Sequence, residues 1–247
     1  MVARVIAHRT CPRHAIENSL AGILAAGALG AGYVEVDVRR TRDGVPVLMH
    51  DRTPGRTARF VGAARPLGRM PLRCLASATL AGTRLRGDAP GAGDPVPTLA
   101  AALGAAPPPL GFALDVKDPG AGPATLRAVR EAQMDDRVLL WSQHEAAVRH
   151  FAGEAEGIEV SLLRDTASPA ATRRLLDDAV AWGARGVSVH QGVLDEALVA
   201  EAHGRGLAVY CWFQSLAVQE EMLARASGFG LDGVVTDWVA GALATVG

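Results

Sequence analysis

Residues 33–51 read YVEVDVRRTRDGVPVLMHD and predict two strands joined by a tight turn. Valines alternate with Glu35 and Asp37, so both acids point to one face of the first strand, about 6.6 Å apart along the chain. Asp43-Gly44 is typical of a two-residue hairpin turn. In the register that such a turn sets, Asp37 lies opposite His50. The stretch therefore predicts carboxylates and an imidazole in one small volume.

The two acids have two interpretations at this point. Carboxylates that share a half-buried strand face repel each other and lose hydration, so they need a compensating cation, and a bound metal ion would supply it. The alternative is an exposed strand face on which both acids are solvated. The pattern Glu-x-Asp by itself is compatible with both.

A second short strand is predicted at residues 4–9, RVIAHR. It ends in a base and a cation, His8 and Arg9, and the chain continues to Glu17-Asn18-Ser19. Asn18 is a candidate N-cap for the helix that follows. His8 considered alone has either a structural or a catalytic role.

After residue 97 the chain alternates short apolar strand candidates with stretches of helical length. The strands are predicted at 111–116, 137–141, 157–163, 186–189, 207–212 and 230–236, and the helices at 124–132, 144–152, 171–182, 195–203 and 217–226. Two earlier strands bring the count to eight. Short apolar strands are expected where both sheet faces are covered, so we predict an α/β fold, a single (β/α)8 TIM barrel rather than an open doubly wound sheet. No G-x-G-x-x-G motif follows the first strand, which disfavours dinucleotide binding.

Residues 52–97 interrupt this alternation with six prolines and with many glycines and arginines. We predict one domain over residues 1–247, in which about 52–97 form an insertion over one end of the barrel. The six arginines from residue 52 to residue 73 either bring positive charge near a substrate headgroup or are solvated at the surface. They are Arg52, Arg56, Arg59, Arg65, Arg69 and Arg73.

Composition excludes several classes of protein. A chain of 247 residues with 49% hydrophobic and 21% charged residues is long enough for one large core. Its net charge of −1 gives no general attraction to nucleic acid or to an anionic membrane, so we expect phosphate recognition to be local and no nucleic-acid partner. Three cysteines without a C-x-x-C pair predict neither a disulfide framework nor a zinc site. With no signal segment and no run long enough to span a membrane, we expect a cytoplasmic protein.

The chain resembles the glycerophosphodiester phosphodiesterase family in the order and spacing of several motifs. Those motifs are His8-Arg9, Glu17-Asn18, Glu35-x-Asp37, the Thr41-x-Asp43-Gly44 turn and His50-Asp51. Further along, Asp115-Val-Lys117 resembles the acidic-x-Lys strand of that family, residues 231–237 resemble its closing strand, and Trp212 stands where an aromatic residue is common near the pocket. Two positions depart from the family pattern: Thr10 replaces a usual Gly, and Asp115 replaces a usual Glu.

The resemblance implies that the protein hydrolyses small glycerophosphodiesters to glycerol 3-phosphate and an alcohol. It implies His8 and His50 as general acid and base in an order that the sequence does not assign. It also implies Glu35, Asp37 and Asp115 as ligands of one divalent metal ion, with Arg9, Lys117 and Trp212 contacting substrate and Glu17 supporting Arg9 or a ligand. Ligation by oxygen alone suits Mg²⁺ or Ca²⁺ better than zinc.

Two other functions remain open at this stage. A lyase-type relative would stop at a cyclic phosphate product. A barrel that only binds phosphodiesters would have lost activity through the two departures, because Thr10 restricts the backbone beside His8 and Asp115 is one methylene shorter than Glu.

Overall fold

A computed structural model of the chain describes residues 3–61, 65–165, 168–213 and 228–246, together with Glu221, Leu223 and Ala224. Eight parallel strands close into a barrel, because the first strand pairs with both the second and the last. These strands are β1 (Arg4–Ala7), β2 (Tyr33–Arg40), β6 (Gly111–Val116), β7 (Val138–Ser142), β8 (Glu159–Arg164), β9 (Gly186–His190), β10 (Ala208–Trp212) and β11 (Gly233–Thr236). The prediction of a TIM barrel is confirmed.

Helices lie between the strands, as the alternating pattern predicts. In the described part of the chain they are α1 (Leu20–Ala28), α2 (Ser77–Ala81), α3 (Leu99–Ala105), α4 (Gly122–Glu131), α5 (Glu145–Glu154), α6 (Pro169–Ala181), α7 (Glu196–Gly204) and α8 (Val239–Val246). The predicted helices between residues 124 and 203 match α4 to α7 within a few residues. The helix predicted over 217–226 lies largely outside the described residues. None of the helices described here combines the length and the hydrophobicity that crossing a bilayer requires.

The core has two layers because side chains on a strand alternate between its faces. Val34, Val36 and Val38 are fully buried in the outer layer between sheet and helices. The barrel interior holds a smaller apolar cluster that includes Ile6 and Trp141. The valines of β2 thus point outward, as predicted, and the acids between them point into the barrel.

The hairpin after β2 has a register one residue away from the predicted one. β3 (Pro46–Leu48) pairs antiparallel with β2, and the Met49 amide donates to the Asp37 carbonyl at 2.9 Å. The connection is a three-residue loop, 42–44, in which Gly44 has a φ of 84°. Asp37 therefore lies opposite Met49, and the predicted pairing of Asp37 with His50 is wrong. The left-handed conformation of Gly44 adds the extra loop residue.

The segment 52–97 builds a small structure of its own. It contains a two-stranded antiparallel sheet of β4 (Ala58–Phe60) and β5 (Thr83–Leu85), together with α2. Its side chains share an apolar cluster with the β3 hairpin, formed by Val47, Met49, Ala58, Leu72, Leu75, Leu80, Leu85 and Val96. The segment is thus packed against the hairpin that leads to His50. The division of the chain into one domain with an insertion stays a prediction.

Candidate functional site

A cavity of about 150 Å³ opens at the carboxyl ends of the barrel strands. This end carries the active site in TIM-barrel enzymes, because the loops that follow the strands meet there. Eight of the nine predicted site residues line the cavity, whereas Glu17 does not. The lining residues are His8, Arg9, Glu35, Asp37, His50, Asp115, Lys117, Trp141, Gln143, Leu163, Asp165, Ser188, Trp212 and Val235.

Three carboxylates converge at the base of this cavity. Asp37 and Asp115 are register partners on the neighbouring strands β2 and β6, and Glu35 lies two residues earlier on β2. One oxygen from each of the three lies within 4.8 Å of the others, and all three residues are buried. The prediction that these acids come together is confirmed by the geometry.

Burial and mutual repulsion shift the protonation of these acids. Burial, and then the charge of Asp37, raise the pKa of Glu35 to about 7. Burial likewise raises the pKa of Asp115. Although burial opposes the shift, the charges of Lys117 and Arg9 hold the pKa of Asp37 below its usual range. Asp37 is thus the member of the cluster that most readily stays ionised.

Lys117 is the cation nearest to this cluster. Its ammonium lies 3.0 Å from Asp37 Oδ1 and also contacts Asp115 Oδ2. Despite burial, the charges of Asp115 and Asp37 raise the pKa of Lys117. The other oxygen, Asp115 Oδ1, is buried and has no hydrogen-bond partner among the described residues. Asp115 Oδ1 is thus a buried carboxylate oxygen without a partner among these residues, and the candidate ligands around it are all oxygens. Both features fit a hard divalent cation.

The chain enters the site through an unusual backbone segment. Arg9, Thr10 and Cys11 have φ values of 42°, 64° and 70°, in the left-handed region that non-glycine residues rarely adopt. This conformation lets the Arg9 amide donate to Glu35 Oε2 at 2.7 Å. Thr10 is fully buried and its hydroxyl accepts from the Ser19 amide at 3.1 Å. The departure at Thr10 is therefore accommodated with a hydrogen bond of its own.

Asn18 has a different role from the predicted one. Ser19 is the N-cap of α1, since its hydroxyl accepts from the Gly22 amide at 3.0 Å. Asn18 instead donates from Nδ2 to Asp37 Oδ2 at 2.8 Å and accepts from the Asp37 amide at 3.0 Å. The sequence identifies Asn18 as a capping type but contains no local signal for a partner 19 residues away.

Each predicted catalytic imidazole is anchored by a carboxylate. His8 Nδ1 lies 2.8 Å from Asp237 Oδ1, and His50 Nδ1 lies 2.8 Å from Asp51 Oδ1. Although burial opposes it, the hydrogen bond to Asp237 raises the pKa of His8. Because each Nδ1 donates to a carboxylate, Nε2 is the ring nitrogen that remains for proton transfer. The sequence predictions include neither of these pairs.

A chain of ion pairs runs along the rim next to the cavity. Arg9 Nε lies 3.6 Å from Asp37 Oδ2, and Arg9 Nη1 lies 3.9 Å from Glu17 Oε2. Glu17 also pairs with Arg56 of the segment 52–97, at 2.5 Å between Oε1 and Nη2. The same guanidinium reaches Asp51, at 2.5 Å between Nε and Oδ2. Glu17 thus contacts Arg9, as expected, and Arg56 is one of the insertion arginines that does approach the site.

Trp212 also lines the cavity. It ends β10 and packs edge-on against His190, with ring centroids 5.1 Å apart. Trp141 and Leu163 add apolar surface to the cavity wall. Asp165, an exposed acid directly after β8, also lines the cavity and was not predicted. This wall can contact the organic parts of a ligand whose charged group lies at the acids.

Comparison with known proteins gives one consistent family. Residues 8–240 match the sequence model of the glycerophosphoryl diester phosphodiesterase family. A Mycobacterium tuberculosis H37Rv protein named "Probable glycerophosphodiester phosphodiesterase 2" is 29% identical over 236 residues, which are 89% of this chain and 81% of that protein. The glycerophosphodiester phosphodiesterase of Caldanaerobacter subterraneus subsp. tengcongensis is 24% identical over 250 aligned positions, covering 96% and 95% of the two chains.

A solved structure shares the fold. A phosphodiesterase of Oleispira antarctica, in complex with its product sn-glycerol-3-phosphate, superposes with a TM-score of 0.81 at 22% sequence identity. The match covers 99% of this chain and 97% of the other. At this level of identity the likeness establishes the common barrel architecture.

Proposed function

The chain belongs to the glycerophosphoryl diester phosphodiesterase family, and from this premise we propose that it cleaves glycerophosphodiesters to glycerol 3-phosphate and an alcohol with the help of one divalent cation. It is a phosphoric diester hydrolase, as the family match and its relatives indicate. The observation that carries the detailed proposal is the convergence of three buried carboxylates with two anchored imidazoles around one cavity.

Glu35, Asp37 and Asp115 would hold one cation, either Mg²⁺ or Ca²⁺, because their oxygens face one another and Asp115 Oδ1 has no described hydrogen-bond partner. When bound, such an ion supplies positive charge to a non-bridging phosphoryl oxygen and so stabilises the charge that develops at phosphorus. Asn18 holds Asp37 through two hydrogen bonds and keeps its carboxylate oriented.

His8 and His50 would transfer the protons. One imidazole removes a proton from the attacking oxygen, which belongs to water or to a neighbouring hydroxyl of the substrate, and the other protonates the departing alkoxide. Asp237 and Asp51 support this proposal, because each fixes the tautomer in which Nε2 faces away from its anchor. The order of the two roles stays open.

Arg9 and Lys117 would bind the phosphoryl oxygens, since both are cations that line the cavity beside the acids. Trp212 would pack against the glycerol or the alcohol moiety. Glu17 would orient Arg9 from the rim. Glycerol 3-phosphate, which the Oleispira antarctica structure contains, is the product that this proposal assigns.

Phosphorus NMR of glycerophosphocholine hydrolysis tests the proposal. We expect glycerol 3-phosphate to form, turnover to stop with EDTA, and Mg²⁺ or Ca²⁺ to restore it. A cyclic phosphate as the final product would favour the lyase alternative. Tight binding without turnover would favour a non-catalytic barrel.

Two variants separate the proposed roles. His50→Ala is expected to lose on the order of 100-fold or more in turnover while metal affinity is kept. Asp37→Ala is expected to lose metal binding, measured by isothermal titration calorimetry. Equal loss of metal affinity in both variants would identify His50 as a ligand and contradict its role in proton transfer.

A further inference from the structure

The Arg56 guanidinium binds two carboxylates from different parts of the chain. Nη1 and Nη2 lie 3.0 and 2.5 Å from the two oxygens of Glu17. Nε and Nη2 lie 2.5 and 3.2 Å from the two oxygens of Asp51. Both contacts are therefore bidentate, which is the geometry in which an Arg–carboxylate pair has strong directional preference. Isolated surface ion pairs contribute little, but a network with this geometry is an exception.

Asp51 connects the Arg56 guanidinium to the His50 imidazole. Its Oδ1 accepts from His50 Nδ1 at 2.8 Å and from Arg56 Nη2 at 3.2 Å. His50 itself follows β3, and the Arg39 side chain donates to its backbone carbonyl at 2.8 Å. The backbone of His50 is thus held by Arg39, while the direction of its ring depends on Asp51.

Glu17 connects the Arg56 guanidinium to Arg9, which follows the neighbouring strand β1. Its Oε2 lies 3.9 Å from Arg9 Nη1, and Arg9 Nε lies 3.6 Å from Asp37 Oδ2. The path from Arg9 through Glu17, Arg56 and Asp51 to His50 is continuous. It joins the loop after β1 to the hairpin after β2.

We propose that Arg56 is a positioning residue of the phosphodiesterase reaction, which orients the His50 ring by holding Asp51 against Glu17. This inference rests on the proposed function, because it assigns Arg56 a role only if His50 transfers a proton. It explains why an otherwise surface-lying arginine of the segment 52–97 makes four polar contacts with two acids at the cavity rim. Small errors in the direction of a proton-transferring group have large effects on rate.

A double-mutant cycle with His50 tests the proposal. Arg56→Met is expected to lower kcat for glycerophosphocholine by on the order of 10-fold in the wild-type background. In the His50→Ala background the same substitution is expected to change kcat by less than about twofold, because the group that it positions is already absent. Arg56→Lys keeps the charge but loses the bidentate contacts with Glu17 and Asp51, so we expect its kcat to be as low as that of Arg56→Met.

Controls separate positioning from folding and from charge. Arg59→Met removes an exposed arginine of the same segment and is expected to keep the wild-type kcat. An equal loss from Arg56→Met in both backgrounds, or full rescue by Arg56→Lys, would overturn the inference while the proposed function stands. Wild-type protein without turnover, or His50→Ala with wild-type kcat, would overturn the proposed function and this inference with it.

Discussion

Gly22→Ala probes how the unusual backbone at Thr10 is accommodated. Gly22 lies in the first turn of α1, directly against the loop that carries His8 and Arg9. A Cβ atom at Gly22 would lie 2.1 Å from the Thr10 carbonyl oxygen and 2.4 Å from Thr10 Oγ1. The nearest atom is a backbone oxygen, so a side-chain rotation cannot relieve the contact, and either the helix or the loop must move.

The expected magnitude follows from two opposing effects. Alanine in a helix is favoured over glycine by about 1 kcal/mol. Overpacking of this kind costs about 1–3 kcal/mol or more, and contact with backbone puts it at or above the upper end of that range. We therefore expect Gly22→Ala to lower the free energy of unfolding by about 2 kcal/mol, which corresponds to a Tm lower by roughly 4–8 °C.

Gly104→Ala is the matched control. Gly104 also lies in a helix, α3, but no atom of the described residues lies within 4 Å of a Cβ atom there, so we expect a gain of up to about 1 kcal/mol. Urea unfolding followed by circular dichroism measures both variants. Adding Thr10→Gly to Gly22→Ala should restore part of the loss, because it removes the Oγ1 and Cβ contacts. Stabilisation by both alanine substitutions would refute this reasoning.

Three further perturbations have expected outcomes. Asn18→Ala should be less stable than Asn18→Gly by about 1 kcal/mol in urea unfolding, because both lose the bonds to Asp37 but only alanine is strained at the φ of 54°; equal stability would contradict this. Burial, and then the charge of Asp37, raise the pKa of Glu35 from 4.5 to about 7, so the folded metal-free protein retains a proton that the unfolded chain loses. Its free energy of unfolding should therefore fall as the pH rises from about 4.5 to about 7, and Glu35→Gln in EDTA should flatten that slope. Tyr210→Phe, which removes a buried hydroxyl bonded to Glu159, should cost about 1–3 kcal/mol in thermal unfolding while kcat stays unchanged, and a drop in kcat would disprove a purely structural role.

The barrel strands could be predicted because the residue pattern that specifies them lies within each strand. Valines at 34, 36 and 38 alternate with acids, and this pattern by itself decides which face of β2 is outward. The spacing of Glu35 and Asp37 follows from the same alternation. The grouping of these two with Asp115 is implied by the family resemblance, and it is physically consistent with the closed barrel, because the strand ends of a barrel meet at one end.

The errors have a common physical origin in long-range contacts and backbone strain. A two-residue turn of the type that Asp-Gly favours needs a positive φ at both Asp43 and Gly44, but of the two only Gly44 has one, so the loop takes three residues and the register shifts by one. The residue type of Asn18 favours a helix cap, whereas its side chain bonds to the strand β2. Arg56 pairs with Glu17, 39 residues away, through a segment without periodic pattern. Such pairs depend on tertiary packing and have no signature in neighbouring residues.

The contact between His8 and Asp237 spans 229 positions of the chain. The strand before His8 and the strand before Asp237 are the pair that seals the barrel. During synthesis, a ribosome-bound fragment that lacks the last strand has the His8 imidazole without the carboxylate that fixes its tautomer. If His8 transfers a proton as proposed, full turnover requires the barrel to be closed, and the turnover rate would report the closure of the barrel in a refolding chain.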